Sequence, residues 1–403
     1  MTKFPLNIVY LCTNPGLNLD KMLGPKIHIQ AILRGLKSKG INSTLIAVQK
    51  TDSVQEYDEF DKIILPHRYL RGFVHRIVPY TGIVDSLRIL QKIIALNRTK
   101  HFTLIHERYT GLSWGGVLAA KFLRIPYILQ MVGPGIEEKA IQGYPISISR
   151  KWLLLLNQKF LLSNCSQLIL TSGLIATFIY SWRGWILPEY HVLLTAADQP
   201  QLISAEEILT IRQRYCQSGQ TLFLYSGSLY RWYDSVGLIR AFHKALDLNP
   251  GLVLLLIGAG DAVNDIQEYI QKNHLTDSIK LSGTVAHNEL LKIIQAVDYC
   301  LVFYPGEPTY FGSSTKVLEY MALGKPVIST PHMLEIIEDG VTGFMSKSSS
   351  EKEFAAKIIE VINNPEQAHI VGENARRKIA SHYLWKHYLQ RLINIYQAAL
   401  ERH

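Results

Sequence analysis

Cysteine is scarce and scattered: Cys12, Cys165, Cys216 and Cys300 are the only four in 403 residues. Most sit in apolar runs, far from one another. That spacing excludes a disulfide framework and a Cys-x-x-Cys zinc site, and it reads as reduced, buried thiols of a cytosolic protein. Apolar runs of membrane-spanning length, about 20 residues, are missing. The N-terminus, MTKFPLNIVYLCTNPG, runs straight into a strand-like stretch without a small-residue cleavage site, so no signal peptide is expected. Low-complexity tracts and repeats of solenoid length are also missing. The formal net charge is +9, yet no dense Lys/Arg block, Cys/His finger or aromatic ribonucleoprotein motif accompanies it. Sequence-specific nucleic-acid binding is therefore not expected. Phosphorylated substrates and an anionic membrane face remain as polyanionic partners.

The chain has apolar residues in plenty. At 48% hydrophobic and 19% charged it is globular, and its length favours two domains over one core. Apolar strand-like runs alternate with helical patterns throughout. LNIVYLC leads into a helix from about Gly24 to Lys39, followed by STLIAVQ, KIILP, FTLIHE, PYILQMV, QLILTS and HVLLT. The rhythm restarts with TLFLYSG, LVLLLIG, IKLSG, YCLVFYP, a helix over 314–323, and PVIST. Strands apolar on both faces, each followed by a helix, predict parallel sheets covered on both sides. Two such series predict two doubly wound α/β domains, 1–198 and 199–383. The hinge is expected between Thr195 and Gln220. Ligands of such folds bind beyond the carboxyl ends of the strands, which makes a cleft between facing domains the expected site.

Several stretches at those strand ends carry chemistry. SGSLYRWYDS (226–235) is a Gly/Ser loop opening a helix; Gly227 and Ser228 would let backbone N–H groups approach an anion, with Arg231 adding charge. The same loop also reads as an ordinary strand-to-helix turn. In FGSSTKVLEYMALGKPVIS (311–329), Ser313 or Ser314 would cap a helix with Thr315 and Lys316 in its first turn. Glu319 then shares their face, while Val317, Leu318 and Met321 fall on the opposite, buried side. Hydroxyls and an ammonium at a helix start suit a phosphate, and a carboxylate one turn deeper suits a ribose diol; the competing reading is a surface Lys-Glu pair. In the first half, TLIHERYTG places His106, Glu107 and Arg108 at a strand end. MVGPGIEEKA places Glu137 and Glu138 after the next strand, for acid/base work or hydroxyl binding, or to favour a helix N-terminus. Gly24, before the first helix, would admit a diphosphate from the opposite domain; His28 lies within that helix. The aromatic and basic stretches RYLRGFVHRIVPY (68–80) and SRKWLLLLNQKFLLS (149–163) fit an anionic membrane or buried amphipathic helices.

These stretches, above all SSTKVLEYMALGKPVISTP with YSGSLYRWYDSVGLIRAFHKA, LVLLLIGAGD and IIEDGVTGFM, resemble the retaining GT-B glycosyltransferases of the family 4 type. The resemblance extends less sharply over GPKIHIQAILRGLKSKG and the region of IHERYTG, and HYLWKHYLQRLINIYQAAL resembles the family's terminal helix. It implies a GT-B fold: two facing Rossmann-like domains, with a helix over about 384–403 crossing back to the first. It also implies transfer of a sugar from a nucleotide diphosphate donor to a glycan or lipid-linked acceptor, with retention and without a metal, in line with the absence of an Asp-x-Asp pair. Carried over, Glu319 falls on the ribose-binding glutamate, Ser314 and Thr315 on the diphosphate cluster beside Lys316, and Val285 beside the base. His106 falls where some relatives line the cleft with a histidine, making it a catalytic candidate with Lys316 and Glu319; Arg108, Glu137 and Glu138 fall on the acceptor side. Three positions depart from the pattern. Phe311 replaces an earlier glutamate, and Ser228 and Tyr233 replace an Arg and a Lys that hold the diphosphate. Losing one such contact costs on the order of 3–4 kcal/mol, so either Arg231 and Lys316 substitute or the chain is a non-catalytic partner subunit. The implied location is the cytoplasm, at the inner face of the membrane.

Overall fold

The computed structural model describes residues 5–13, 19, 23–50, 57–67, 81–109, 111–136, 146–306, 314–331 and 335–403. It divides into two compact units, one built from Met1–Thr195 with Trp385–His403, the other from Ala196–Tyr310 with Ser314–Leu384.

Unit 1 holds the strands β1 (Asn7–Cys12), β2 (Asn42–Gln49), β3 (Asp61–Pro66), β4 (Leu104–Arg108), β5 (Tyr127–Met131), β6 (Gln167–Leu170) and β7 (Tyr190–Val192). They form one parallel sheet in the order β3-β2-β1-β4-β5-β6-β7. The helices between them are α1 (Leu23–Ser38), α2 (Thr81–Lys100), α3 (Gly115–Leu123), α4 (Ile148–Leu162) and α5 (Gly173–Arg183). β4, β5 and β6 are buried along their whole length, as strands covered on both faces must be.

Unit 2 opens with α6 (Ala205–Gln213), whose N-cap Ser204 accepts from the Glu207 N–H at 3.2 Å. Part of the expected hinge is thus a helix of unit 2, tied at 2.7 Å by Arg212 to Asp298. The remaining elements are β8 (Thr221–Ser226), α7 (Ser235–Leu246), β9 (Leu252–Ile257), α8 (Val263–Lys272), β10 (Ile279–Leu281), α9 (His287–Ala296), β11 (Tyr299–Val302), α10 (Thr315–Ala322), β12 (Val327–Ser329), β13 (Phe344–Met345), α11 (Glu351–Ile362) and α12 (Pro365–His382). The parallel sheet runs β10-β9-β8-β11-β12-β13. Only the edge strand β13 had no counterpart among the expected strands; two residues are too few to show a pattern. The chain then returns to unit 1 through α13 (Trp385–Glu401), where Leu389 fills the space left by the missing side chain of Gly35 on α1.

Backbone contacts that only glycine permits knit the carboxyl edge of the second sheet. Gly227, at φ +128°, donates to the Ile257 carbonyl at 2.8 Å, and Gly258 donates to the Gly283 carbonyl at 2.8 Å. A Cβ at Gly258 would overlap the Gly227 carbonyl. Gly258→Ala is therefore expected to destabilise unit 2 by about 2–3 kcal/mol, read as a lower urea midpoint at unchanged slope.

Candidate functional site

In each sheet the strand order reverses at the centre, between β1 and β4 and between β8 and β11. Crossovers leave the two central strands in opposite directions, and the crevice at their carboxyl ends is where such folds take ligands. In unit 2, the start of α10 enters that crevice. Ser314 occupies the N-cap position, buried and with extended backbone, but makes no side-chain capping bond. Lys316 in the first turn lies between two tyrosines, its Nζ 3.9 Å from the ring centre of Tyr225 on β8 and 5.7 Å from that of Tyr304 beyond β11. A Cβ on Gly227 would stand 3.1 Å from the same Nζ. Among the described residues no carboxylate pairs with Lys316, and burial pushes its pKa down to about 7.

Glu319, one turn further, is buried and accepts from the His287 Nε2–H at 2.8 Å. His287 is the first residue of α9, two positions after Val285 in the loop from β10. Its pKa is raised, first by the hydrogen bond to Glu319, with burial opposing and the Glu319 and Asp198 charges adding. The expected division of α10 into a polar and an apolar face does not hold, because every residue from Val317 to Ala322 is buried. Glu319 is thus a buried group facing α9. The helix is further anchored by Tyr320, whose hydroxyl meets the Ser226 N–H and Oγ, both at 2.8 Å. Lys325 in the Gly-Lys-Pro-Val turn caps the C-terminus of α9, donating to the carbonyls of Gln295 at 2.7 Å and Val297 at 2.8 Å.

The β8–α7 loop differs from expectation at one residue. The Ser228 carbonyl accepts from the Tyr225 hydroxyl at 3.1 Å. Arg231, expected to reach an anion, is instead held by both oxygens of Asp265 on α8, at 2.7 and 3.0 Å. The carboxylate fork matches its guanidinium, and Asp261 accepts from its backbone N–H at 2.9 Å. Tyr233 lies against Trp232, with ring centres 3.7 Å apart, and edge-on to Tyr304 at 5.2 Å.

In unit 1 the expected cluster is split by strand alternation. His106 lies fully buried in the middle of β4, opposite Tyr10, with Nδ1 at 2.6 Å from the Tyr396 hydroxyl of α13. Burial pushes its pKa down to about 3. The catalytic reading of His106 is therefore corrected: it is a neutral core histidine joining sheet to helix. Glu107 points the other way, bonded by Ser113 and, at 2.9 Å, by Tyr127; burial pushes it up to about 7. Arg108, at the end of β4, is buried 3.4 Å from His28 Nδ1. Gly24 lies in the first turn of α1 with open space where a Cβ would stand. Glu137, Glu138, Phe311 and Ser313 lie outside the described residues. The sequence reading missed His287 and the two tyrosines around Lys316; a histidine at a helix start just past a strand end was the available signal.

Two parallel doubly wound sheets, the second with a lysine and a glutamate one turn apart at its switch point, define the GT-B fold. The structure of Anabaena HepE in complex with UDP and glucose superposes with a TM-score of 0.73 at 16% identity, over 98% of this chain and all of that one. Residues 209–378 match the model for glycosyl transferases group 1. An uncharacterized glycosyltransferase of Methanocaldococcus jannaschii is 29% identical over 40% of this chain and 41% of its own length. The chain thus spans about two-fifths of that relative. The alpha-monoglucosyldiacylglycerol synthase of Streptococcus pneumoniae is 22% identical over 84% of this chain and 75% of its own.

The His287–Glu319 pair has a pH consequence. Because the folded pKa of His287 is raised, its stabilising contribution is complete below the ordinary value near ~6.5 and fades as pH rises through the raised value. An NMR titration should find the His287 midpoint above the ordinary value, and Glu319→Gln should lower it.

Proposed function

We propose that the chain transfers a sugar from a nucleotide diphosphate donor to a glycan or lipid-linked acceptor, with retention and without a metal, at the cytoplasmic face of a membrane. The observation that carries this reading is the start of α10: an ammonium without a counter-anion among the described residues and a buried carboxylate one turn later, both at the switch point. In this reading Lys316 and the N–H groups around Ser314 and Thr315 take the diphosphate. Glu319 accepts from the ribose hydroxyls, and the backbone at Val285 borders the base. HepE, whose structures contain UDP and UDP-glucose, offers a precedent in the same fold. Retention would follow from front-face attack, the departing diphosphate taking the acceptor proton. The catalytic contribution of the chain is then to orient the two substrates and to stabilise the leaving anion through Lys316.

A second reading, a partner subunit that keeps the fold without the chemistry, draws on a separate observation. By the resemblance drawn from the sequence, Ser228 and Tyr233 fall where the family carries cations, and Arg231 is engaged by Asp265.

Calorimetry with uridine, guanosine and adenosine diphosphates tests the donor site. One base should bind in the micromolar range, and Glu319→Ala should weaken it by about 100-fold, the loss of two charge-assisted hydrogen bonds. If no nucleoside diphosphate binds, the reading fails; binding without turnover of any nucleotide sugar favours the partner subunit.

The free pKa of Lys316, about 7, sets a second test. An anion favours the charged form, so binding takes up a proton above that value. Affinity should be constant below pH 7 and fall by up to about tenfold per pH unit above it, a dependence that Lys316→Ala should remove.

A further inference from the structure

The helix α4 buries Leu154, Leu161 and Leu162 on its inner side yet exposes a second apolar arc. Its buried residues include the amides Asn157 and Gln158, while Ile148, Trp152 and Leu156 are 79, 63 and 62% exposed and Phe160 is also exposed. The amides have specific partners: Asn157 donates to the Gly111 carbonyl at 2.5 Å, and Gln158 accepts from Arg183 of α5. Successive helical residues are turned by about 100°, so positions 148, 152, 156 and 160 form a single stripe on the side away from the sheet. That is the arc a surface helix ordinarily gives to charge. The stripe continues onto α3, where Phe122 is 68% exposed and Lys121 lies 5.5 Å from the Phe160 ring.

The charge on the helices that carry this stripe has one sign. The helices α3, α4 and α5 contain no Asp or Glu, whereas Lys121, Arg150, Lys151, Lys159 and Arg183 lie on them. Lys159 falls within the apolar arc, between Ile148 and Trp152 in projection. A contiguous exposed apolar patch is rare on a soluble surface unless something covers it. An aromatic and aliphatic stripe on helices that carry cations and no carboxylates complements a surface that is apolar inside and anionic outside. Among the described residues no helix is long and apolar enough to cross a membrane, so the contact would lie in the interfacial plane.

We infer that the outer face of α4, with Phe122 of α3, docks the chain on a bilayer containing anionic lipid. Trp152, Leu156 and Phe160 enter the headgroup–acyl boundary, and Lys121, Arg150, Lys151 and Lys159 pair with lipid phosphates. The inference deepens the membrane location in the reading above and rests on it only in that respect, since the surface carries none of the donor-site residues.

Flotation of the full chain with phosphatidylcholine vesicles, with and without phosphatidylglycerol, tests it. The expected result is binding only when phosphatidylglycerol is present, weakened by salt. Trp152→Glu with Leu156→Glu should reduce binding at least about tenfold. Lys151→Glu with Lys159→Glu should also weaken it and flatten its salt dependence. Melting temperature and nucleoside diphosphate affinity should be unchanged in both double variants, which separates this inference from the donor-site reading. Equal binding to neutral vesicles, or undiminished binding by the Trp152/Leu156 variant, would overturn it. So would a gel-filtration dimer that the Trp152/Leu156 variant dissociates, because the stripe would then join two copies of the chain.

Discussion

The structure of the second unit depends on how one short helix is seated at the place where a parallel sheet changes direction. β8 and β11 lie side by side, and their crossovers leave to opposite sides. The end of the sheet at that point is open, and α10 is buried in it along its length from Val317. Tyr320 fixes it to Ser226, Lys316 to Tyr225 and Glu319 to His287. A helix gripped on three sides has little freedom, so the ammonium and carboxylate it carries are positioned before any ligand arrives, which lowers the entropic cost of binding.

The half-buried ammonium of Lys316 lies against aromatic faces, with no neutralising carboxylate among the described residues. Ring quadrupoles attract it but supply no counter-charge, and burial still disfavours the charged form. An arriving anion would therefore relieve an existing electrostatic deficit. Glu319 is balanced differently: His287 already engages one of its oxygens and shares its charge. The two groups of the proposed donor site are thus one turn apart yet poised in opposite senses, the cation without a carboxylate partner among the described residues and the anion provided with a histidine.

Much of this was legible in the sequence, for reasons specific to each element. Buried parallel strands are apolar throughout, so TLFLYSG, LVLLLIG and YCLVFYP could be read directly, and the strand ends then located Gly227, Lys316 and Glu319. What the sequence did not show were contacts made across the fold. Asp265 captures Arg231 from 34 residues away, and Tyr396 meets His106 across 290. No local periodicity reports such meetings. The amphipathic expectation for α10 failed because this helix is enclosed by the sheet, its neighbouring loops and α12, so burial stops depending on helical phase.

The bond between His106 and Tyr396 bears on the order in which the molecule can form during synthesis. The first sheet contains buried polar side chains, among them His106 and Gln130, whose partners Tyr396 and Tyr388 belong to α13. Until the ribosome has made that helix, those groups face either water or an incomplete interior. The second unit is a compact body that ends at Leu384. The half of the protein translated last, apart from its final helix, can therefore reach its native state first, while the earlier half waits for a segment nearly three hundred residues downstream.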